Sequence, residues 1–350
     1  MQLTGEFTKG KIIIKKPKDI GRLYNRNNFG RIMDNNELEL DLVEGVFLLG
    51  EGKLKLFEKK KEMGFKKLVK ISAKKISCFE IKYLIFKDLR KKGFIVKICD
   101  KEDLFDFHIF NREKVRKKCF ISAFSERDIM SINEIRRLID YSIKKNADLW
   151  FSIVDEEGDI TYYNVSRLDI RGDISEHKFS KTKGYLIENR VIIFDSKSAK
   201  ELFKKEFFGK PFGMGLQLSV IEALYLMEKK FIEIMNIVND GKISFNEFRK
   251  IVKKNQPNIK LILTVFRDLK KRGLIVKTGF KFGAHFRAYS NKPDKTHAEY
   301  LIHVVDKSFE SSWPEISRAV RLAHSVNKEI MFSSIRDNRI DYIKFGRLRP

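Results

Sequence analysis

The chain repeats itself, and that limits its fold more than any other feature. Residues 86–97, FKDLRKKGFIVK, return 180 residues later as FRDLKKRGLIVK at 266–277. Residues 131–168, beginning SINEIRRLIDYSI and ending YYNVSRL, return from Ser312 to Leu348. The second version begins SWPEISRAVRLAHSV and ends YIKFGRL. A weaker echo sets VEGVFLLGEGKLKL at 43–56 against VIEALYLMEKKFIE at 220–233. Three matches in the same order at nearly constant offset are the mark of a tandem duplication. Each copy must then reach the same fold around a core of its own. Between the copies, RGDISEHKFSKTKG at 171–184 is polar and has no hydrophobic period, so it reads as the linker.

Each copy reads as a small α/β portion, then a helix, two or three strands, a second helix and a closing strand pair. Before Gly273, Ile262, Val265, Phe266 and Leu269 share a helix face, and the glycine suits a left-handed stop. Leu274-Ile275-Val276 then opens a strand, and HAEYLIHVV from His297 to Val305 holds another. Ser312-Trp313-Pro314-Glu315 has the form of a capping box with proline in the first turn. The helix it starts buries Ile316, Ala319, Val320 and Ala323, and Ser131 with Glu134 repeats the cap in the first copy. MFSSI and IDYIKFGRL form the closing pair. The expected organisation is a mixed α/β tandem of two-domain units. The boundaries are 1–72 and 73–172, a linker at 173–184, then 185–256 and 257–350.

At 350 residues the chain is long enough for two or more domains, and 43% hydrophobic with 34% charged residues marks it as globular. Its 72 Lys+Arg against 47 Asp+Glu leave +25, a field that draws polyanions, of which nucleic acid is the commonest. A generally lysine-rich composition accounts for part of that excess. Cys78, Cys99 and Cys119 are widely spaced, lie among apolar neighbours and form no CxxC, which fits buried, reduced thiols. No run of 18 apolar residues and no signal peptide is present, so a soluble cytoplasmic protein is expected.

Duplication supplies an internal control for chemistry. Setting FRAY (286–289) against FHIF (107–110) puts Tyr289 opposite Phe110, the same ring without the hydroxyl. His297 falls opposite a basic stretch around Arg116 and Lys117, and Lys328, read as lying on the capped helix, opposite Ala147. One copy thus carries a phenol, an imidazole and an ammonium that the other lacks. RNA brings its own nucleophile, the ribose 2′-hydroxyl. An enzyme cleaving it needs a base for that proton, an acid for the departing 5′-oxygen and a cation on the phosphorane, with no metal or cofactor. Tyr289, His297 and Lys328 suit those roles. An unperturbed tyrosine, at a pKa near ~10, is a poor base unless cations stand close.

The runs FRDLKKRGLIVKTGFKFGAHFRAY, KTHAEYLIHVV, SRAVRLAHSVNK and IDYIKFGRLRP together resemble the catalytic domain of the tRNA-splicing endonucleases. The match is close over the last quarter of the chain, and the degenerate first copy extends it over nearly all of it. The resemblance implies a catalytic nuclease domain at 257–350 and an inactive counterpart at 73–172. It implies Tyr289, His297 and Lys328 as the catalytic residues and Arg321 and Arg347 as the pair gripping a flipped bulge base, with Arg349 a competitor for the latter place. It also implies a fused, homodimeric form that cuts both junctions of a bulge–helix–bulge in precursor tRNA and leaves 2′,3′-cyclic phosphate and 5′-hydroxyl ends. Arg321 lies seven residues before Lys328, which on one helix would put both on one face. The turn Asp155-Glu156-Glu157-Gly158-Asp159 carries four carboxylates where Arg336-Asp337-Asn338-Arg339 has lost that net charge. The resemblance makes it the loop that docks into a basic pocket of the partner chain. A non-catalytic RNA-binding subunit of a heteromeric enzyme is the alternative, and the intact trio argues against it.

Other motifs reduce to ordinary structure. NIVNDGKISFNE at 236–247 has a fragment of a calcium loop, but Val238 sits at a ligand position. His285, His297, His303 and His324 lack zinc spacing and a cysteine companion. FGMG at 212–215 and KFG at 281–283 are turns outside the frame of a nucleotide loop.

Overall fold

The computed structural model describes residues 3–100, 103–110, 118–294, 296–337 and 339–350. They cluster into two compact units. Unit 1 holds the first copy through Ser166 together with Glu310–Ile316 and Gly346–Pro350; unit 2 holds Arg167–Phe309 and Ser317–Phe345.

Each copy opens on a six-stranded sheet of the same topology. In unit 1 the order is Arg31–Ile32, Leu38–Leu40, Lys11–Ile14, Leu3–Thr8, Leu54–Glu58 and Lys61–Glu62. In unit 2 it is Lys210–Phe212, Gly215–Ser219, Arg190–Ile193, Thr182–Ile187, Ile232–Asn236 and Lys242–Ile243. The helix packed in each, Leu42–Gly50 or Val220–Glu228, begins at a complete capping box, Asp41 with Glu44 or Ser219 with Glu222. These boxes place Leu42 opposite Val220, one residue from the register of the sequence echo, which had Val43 there. Both helices are buried nearly all round, so their apolar residues match in either register; the cap chemistry selects one.

The remaining half of each copy is a helix, three strands, a helix and two strands. Unit 1 has the helix Phe79–Lys91, strands Ile95–Ile98, Phe107–Phe110 and Cys119–Ser125, the helix Ile132–Lys144, and strands Asp148–Val154 and Ile160–Arg167. The second copy has Ile259–Lys271, then Ile275–Thr278, Phe286–Tyr289 and Tyr300–Val304, then Trp313–Ser325, and last Glu329–Arg336 and Arg339–Leu348. The first three strands pair antiparallel, the third pairs parallel with the fourth, and the last two close as a hairpin. A parallel step needs a crossover, and the second helix supplies it. The architecture is therefore a mixed α/β tandem.

Local predictions hold where the physics is local. Ile262, Val265, Phe266 and Leu269 are all buried, and Gly273 ends that helix at φ 77°. Ser131 Oγ accepts the Glu134 amide at 3.1 Å. One polar clamp recurs in both copies: Tyr162 Oη donates to Asp88 at 2.6 Å and Tyr342 Oη to Asp268 at 2.8 Å. Each ties the first helix to the closing strand.

Three findings differ from expectation. The strand Thr182–Ile187 starts inside the segment read as linker, and Gly172 and Ile174 donate backbone bonds to Arg272 and Gly273 at 2.9 and 3.0 Å. Polar composition hid this because main-chain bonds hold the segment. Cys119 is buried and Cys99 half-buried, but Cys78 is exposed, at φ 52° just ahead of its helix. Finally, unit 1 takes in part of the second copy. Glu310–Ser312 pairs antiparallel with Ile129–Ser131, and Trp313, 1% exposed, lies against Phe124 and Phe151 and stacks on Tyr163 at an interplanar angle of 8°. Among the described residues no helix is long and apolar enough to cross a membrane.

Candidate active site

Along Phe286–Tyr289 the side chains alternate, as strand geometry requires. Phe286 and Ala288 enter the main core of unit 2, which leaves Arg287 and Tyr289 on the opposite face. Tyr289 is 7% exposed and packs against Ile275 and Ala298, with Ile174 and Phe207 alongside. Ala298 directly follows His297, which is exposed. The carbonyl of Ala298 accepts from Lys328 Nζ at 3.0 Å, and a second bond runs from that ammonium to the Val326 carbonyl at 3.5 Å. The Lys328 ammonium also stands 5.6 Å from the centre of the Phe282 ring. Glu299 continues the stitching: its side chain takes the Ser290 amide at 2.8 Å and its carbonyl the Glu329 amide at 2.9 Å. Tyr289 and Lys328 thus both meet Ala298, the residue directly after His297.

Backbone bonds confirm the pairing of the copies. The Ala147 amide donates to Ser142 and the Lys328 amide to Ala323, at 3.0 and 2.9 Å. Ile95 faces Phe110 across the strands as Ile275 faces Tyr289. The comparison of His297 with Arg116 and Lys117 lies outside the described residues.

Two placements are corrected. His297 precedes its strand, which begins at Tyr300. Lys328 lies beyond its helix, which ends at Ser325; Asn327 then adopts φ 54° and turns the chain. A shared helix face therefore cannot align Arg321 with Lys328. Arg321 itself is exposed on the helix, its guanidinium folded onto Ser317 Oγ with its shorter bond at 2.9 Å. Arg347 and Arg349 are both exposed in the segment Gly346–Pro350 assigned to unit 1.

The histidines His285 and His303 behind the site are framework. Burial and the neighbouring His303 push His285 down to about 4, and its Nδ1 accepts the Val304 amide at 3.1 Å. Burial lowers His303 as well. Among the described residues no three His, Cys, Asp or Glu side chains converge on a metal position. Sequence reasoning missed Arg287, whose only signal is its replacement by His108 in the first copy, and the Ala298 carbonyl, which no side-chain pattern reveals.

In the acidic turn, Asp155 Oδ1 accepts the Glu157 and Asp159 amides at 3.1 and 2.8 Å, and Gly158 takes φ 88°. Glu156 pairs with Arg127, while Glu157 and Asp159 are exposed. In the second copy Arg336 pairs with Asp337; Asn338 lies outside the described residues.

Comparison with known proteins carries the same repeat. The model for the tRNA intron endonuclease catalytic C-terminal domain matches residues 79–162 and 259–342, and that for the N-terminal domain matches 3–69 and 182–249. The chain belongs to the tRNA-splicing endonuclease family. A tRNA-splicing endonuclease of Methanococcoides burtonii is 35% identical over 99% of this chain and 100% of its own length. One from Methanosarcina mazei is 31% identical over the full length of both. One from Sulfolobus acidocaldarius is 35% identical but spans 48% of this chain with 98% of its own, as a single-copy relative would. Likeness to a solved Holliday junction resolvase of Archaeoglobus fulgidus, at 13% identity and a TM-score of 0.21, is too slight to bear on the fold.

Proposed function

We propose that this chain is the catalytic endonuclease that excises introns from precursor tRNA, cutting both exon–intron junctions of a bulge–helix–bulge. The observation that supports it is the gathering of Tyr289 and Lys328 onto Ala298, beside His297, in the copy that alone holds all three. Tyr289, as its phenolate, takes the 2′-hydroxyl proton as O2′ bonds to phosphorus and becomes the phenol. The P–O5′ bond breaks, and His297 gives O5′ its proton. The ends are then a 2′,3′-cyclic phosphate and a 5′-hydroxyl, with proton and electron pairs balanced and no water consumed. The ammonium of Lys328, two of whose hydrogens are directed at carbonyls, keeps one for a phosphorane oxygen. Because the substrate supplies the nucleophile, the chemistry calls for no metal.

Arg321 and Arg347 grip the bulge base in this reading, and the acidic turn at 155–159 docks on a second copy, so that two sites meet two bulges. The test is cleavage of an intron-bearing precursor by this chain alone. Wild-type enzyme should cut it in excess chelator, and a 2′-deoxy nucleotide at the junction should block the cut. Tyr289→Phe, which copies Phe110, should fold normally and cleave about 10²-fold more slowly. Normal cleavage of the deoxy substrate would remove the mechanism, and an inactive chain that still binds RNA would favour the subunit reading.

A further inference from the structure

Arg287 stands two residues before Tyr289, on the same face of the same strand. Its guanidinium carbon is 5.9 Å from the centre of the tyrosine ring. Its Nε is buried and, among the described residues, has no hydrogen-bond partner, and no carboxylate there pairs with the side chain. The neighbouring cation across the strands, Lys277, is committed elsewhere: it bonds Glu222 at 3.1 Å and the carbonyls of Phe207 and Gly209 at 2.8 and 2.6 Å. A half-buried cation with no anion beside it is costly for a fold to keep.

The first copy shows what the fold itself requires at this place. Lys97 faces His108 there as Lys277 faces Arg287. His108 stands beside Phe110 and lies 3.7 Å from the Cys99 sulfur, and burial lowers its pKa, which favours the neutral ring. Residues that brace each copy from within are retained: Lys97 and Lys277, Asp88 and Asp268, Tyr162 and Tyr342. The guanidinium and the phenolic hydroxyl vanish together. An arginine needed for the strand pairing would have no reason to leave with that hydroxyl.

We propose that Arg287 is a positioning residue for Tyr289, holding the ring by its face and supplying the positive charge that a tyrosine base needs. The inference rests on the reading of Tyr289 as the base. A phenol accepts a proton only as phenolate, and a cation close by is what makes a phenolate accessible near neutral pH. The anion missing around Arg287 is then the phenolate that Tyr289 carries before it takes the 2′-hydroxyl proton.

A double-mutant cycle tests this, with single-turnover cleavage of precursor tRNA as the readout. Arg287→Met should slow cleavage at least about tenfold when Tyr289 is present and by less than about twofold in the Tyr289→Phe background. Arg287→His, the side chain the first copy already accommodates, guards against a folding defect and should show the same non-additivity. Arg287→Lys should recover part of the rate, and precursor affinity should stay at the wild-type value throughout. Equal losses in both backgrounds, or a loss expressed as weaker RNA binding through a phosphate contact, would overturn the proposal while leaving Tyr289 as base. Wild-type cleavage by Tyr289→Phe itself would remove both readings.

Discussion

Lys328 owes its position to a backbone turn. The left-handed Asn327 ends the approach from the helix, and the ammonium then reaches back to the Ala298 carbonyl. Two bonds to carbonyls give the side chain a fixed aim. Lys328→Ala should therefore leave precursor binding within about threefold, since one charge of many is lost, and cut the single-turnover rate about 10²-fold. A rate loss matched by an equal loss of affinity would make Lys328 a binding residue. Tyr289 and Lys328 were legible because the second copy could be held against the first, position by position. The hub at Ala298 was not, because a main-chain carbonyl looks the same in every sequence. Nor was the exit of Lys328 from its helix, since asparagine before lysine gives a weaker stop signal than glycine.

Among elements, the paired capping boxes show how one local device diverges. Glu222 accepts the Gly209 and Ser219 amides, each at 2.9 Å, and meets Lys277. Glu44 accepts the Gly30 amide at 3.0 Å and the Asp41 amide at 3.1 Å, while Lys97 donates to the Gly30 carbonyl instead. Burial raises Glu44 to about 7 in spite of these amide bonds. In the unfolded chain the same carboxyl ionises near 4.5, so between those values the folded state binds more protons. Its contribution to stability is full below 4.5 and is lost as pH rises to about 7, on the order of 1.4 kcal/mol per unit. His285 works the other way, keeping its contribution above 6.5 and losing it as pH falls toward about 4. Glu44→Gln should flatten the downward slope of unfolding free energy between those pH limits, followed by denaturant titration with a probe in unit 1. A slope unchanged by the substitution would show that Glu44 ionises normally in the fold. The sequence reading passed over both boxes and set the two helices one residue out of register, because two largely apolar helices align equally well one residue apart.

For the whole molecule, the acidic turn is the feature on which the proposed dimer rests. Asp155 holds the turn and Glu156 pairs with Arg127, which leaves Glu157 and Asp159 exposed. Replacing Glu157 and Asp159 by Lys, with Asp155 kept, should make dimerisation salt-sensitive or abolish it and lower activity with the trio intact. Sedimentation as an unchanged, fully active dimer would rule out that docking role. Duplication and fold class were plain from the repeats, but the exchange of Glu310–Ile316 into unit 1 was not, because no local pattern says which core a tryptophan will enter. That exchange has an evolutionary corollary. Severing the gene at the linker would strand Trp313 on one fragment and the rings of Phe124, Phe151 and Tyr163 on the other. A split chain would keep that ring packing only if both fragments were present together, each the other's missing piece.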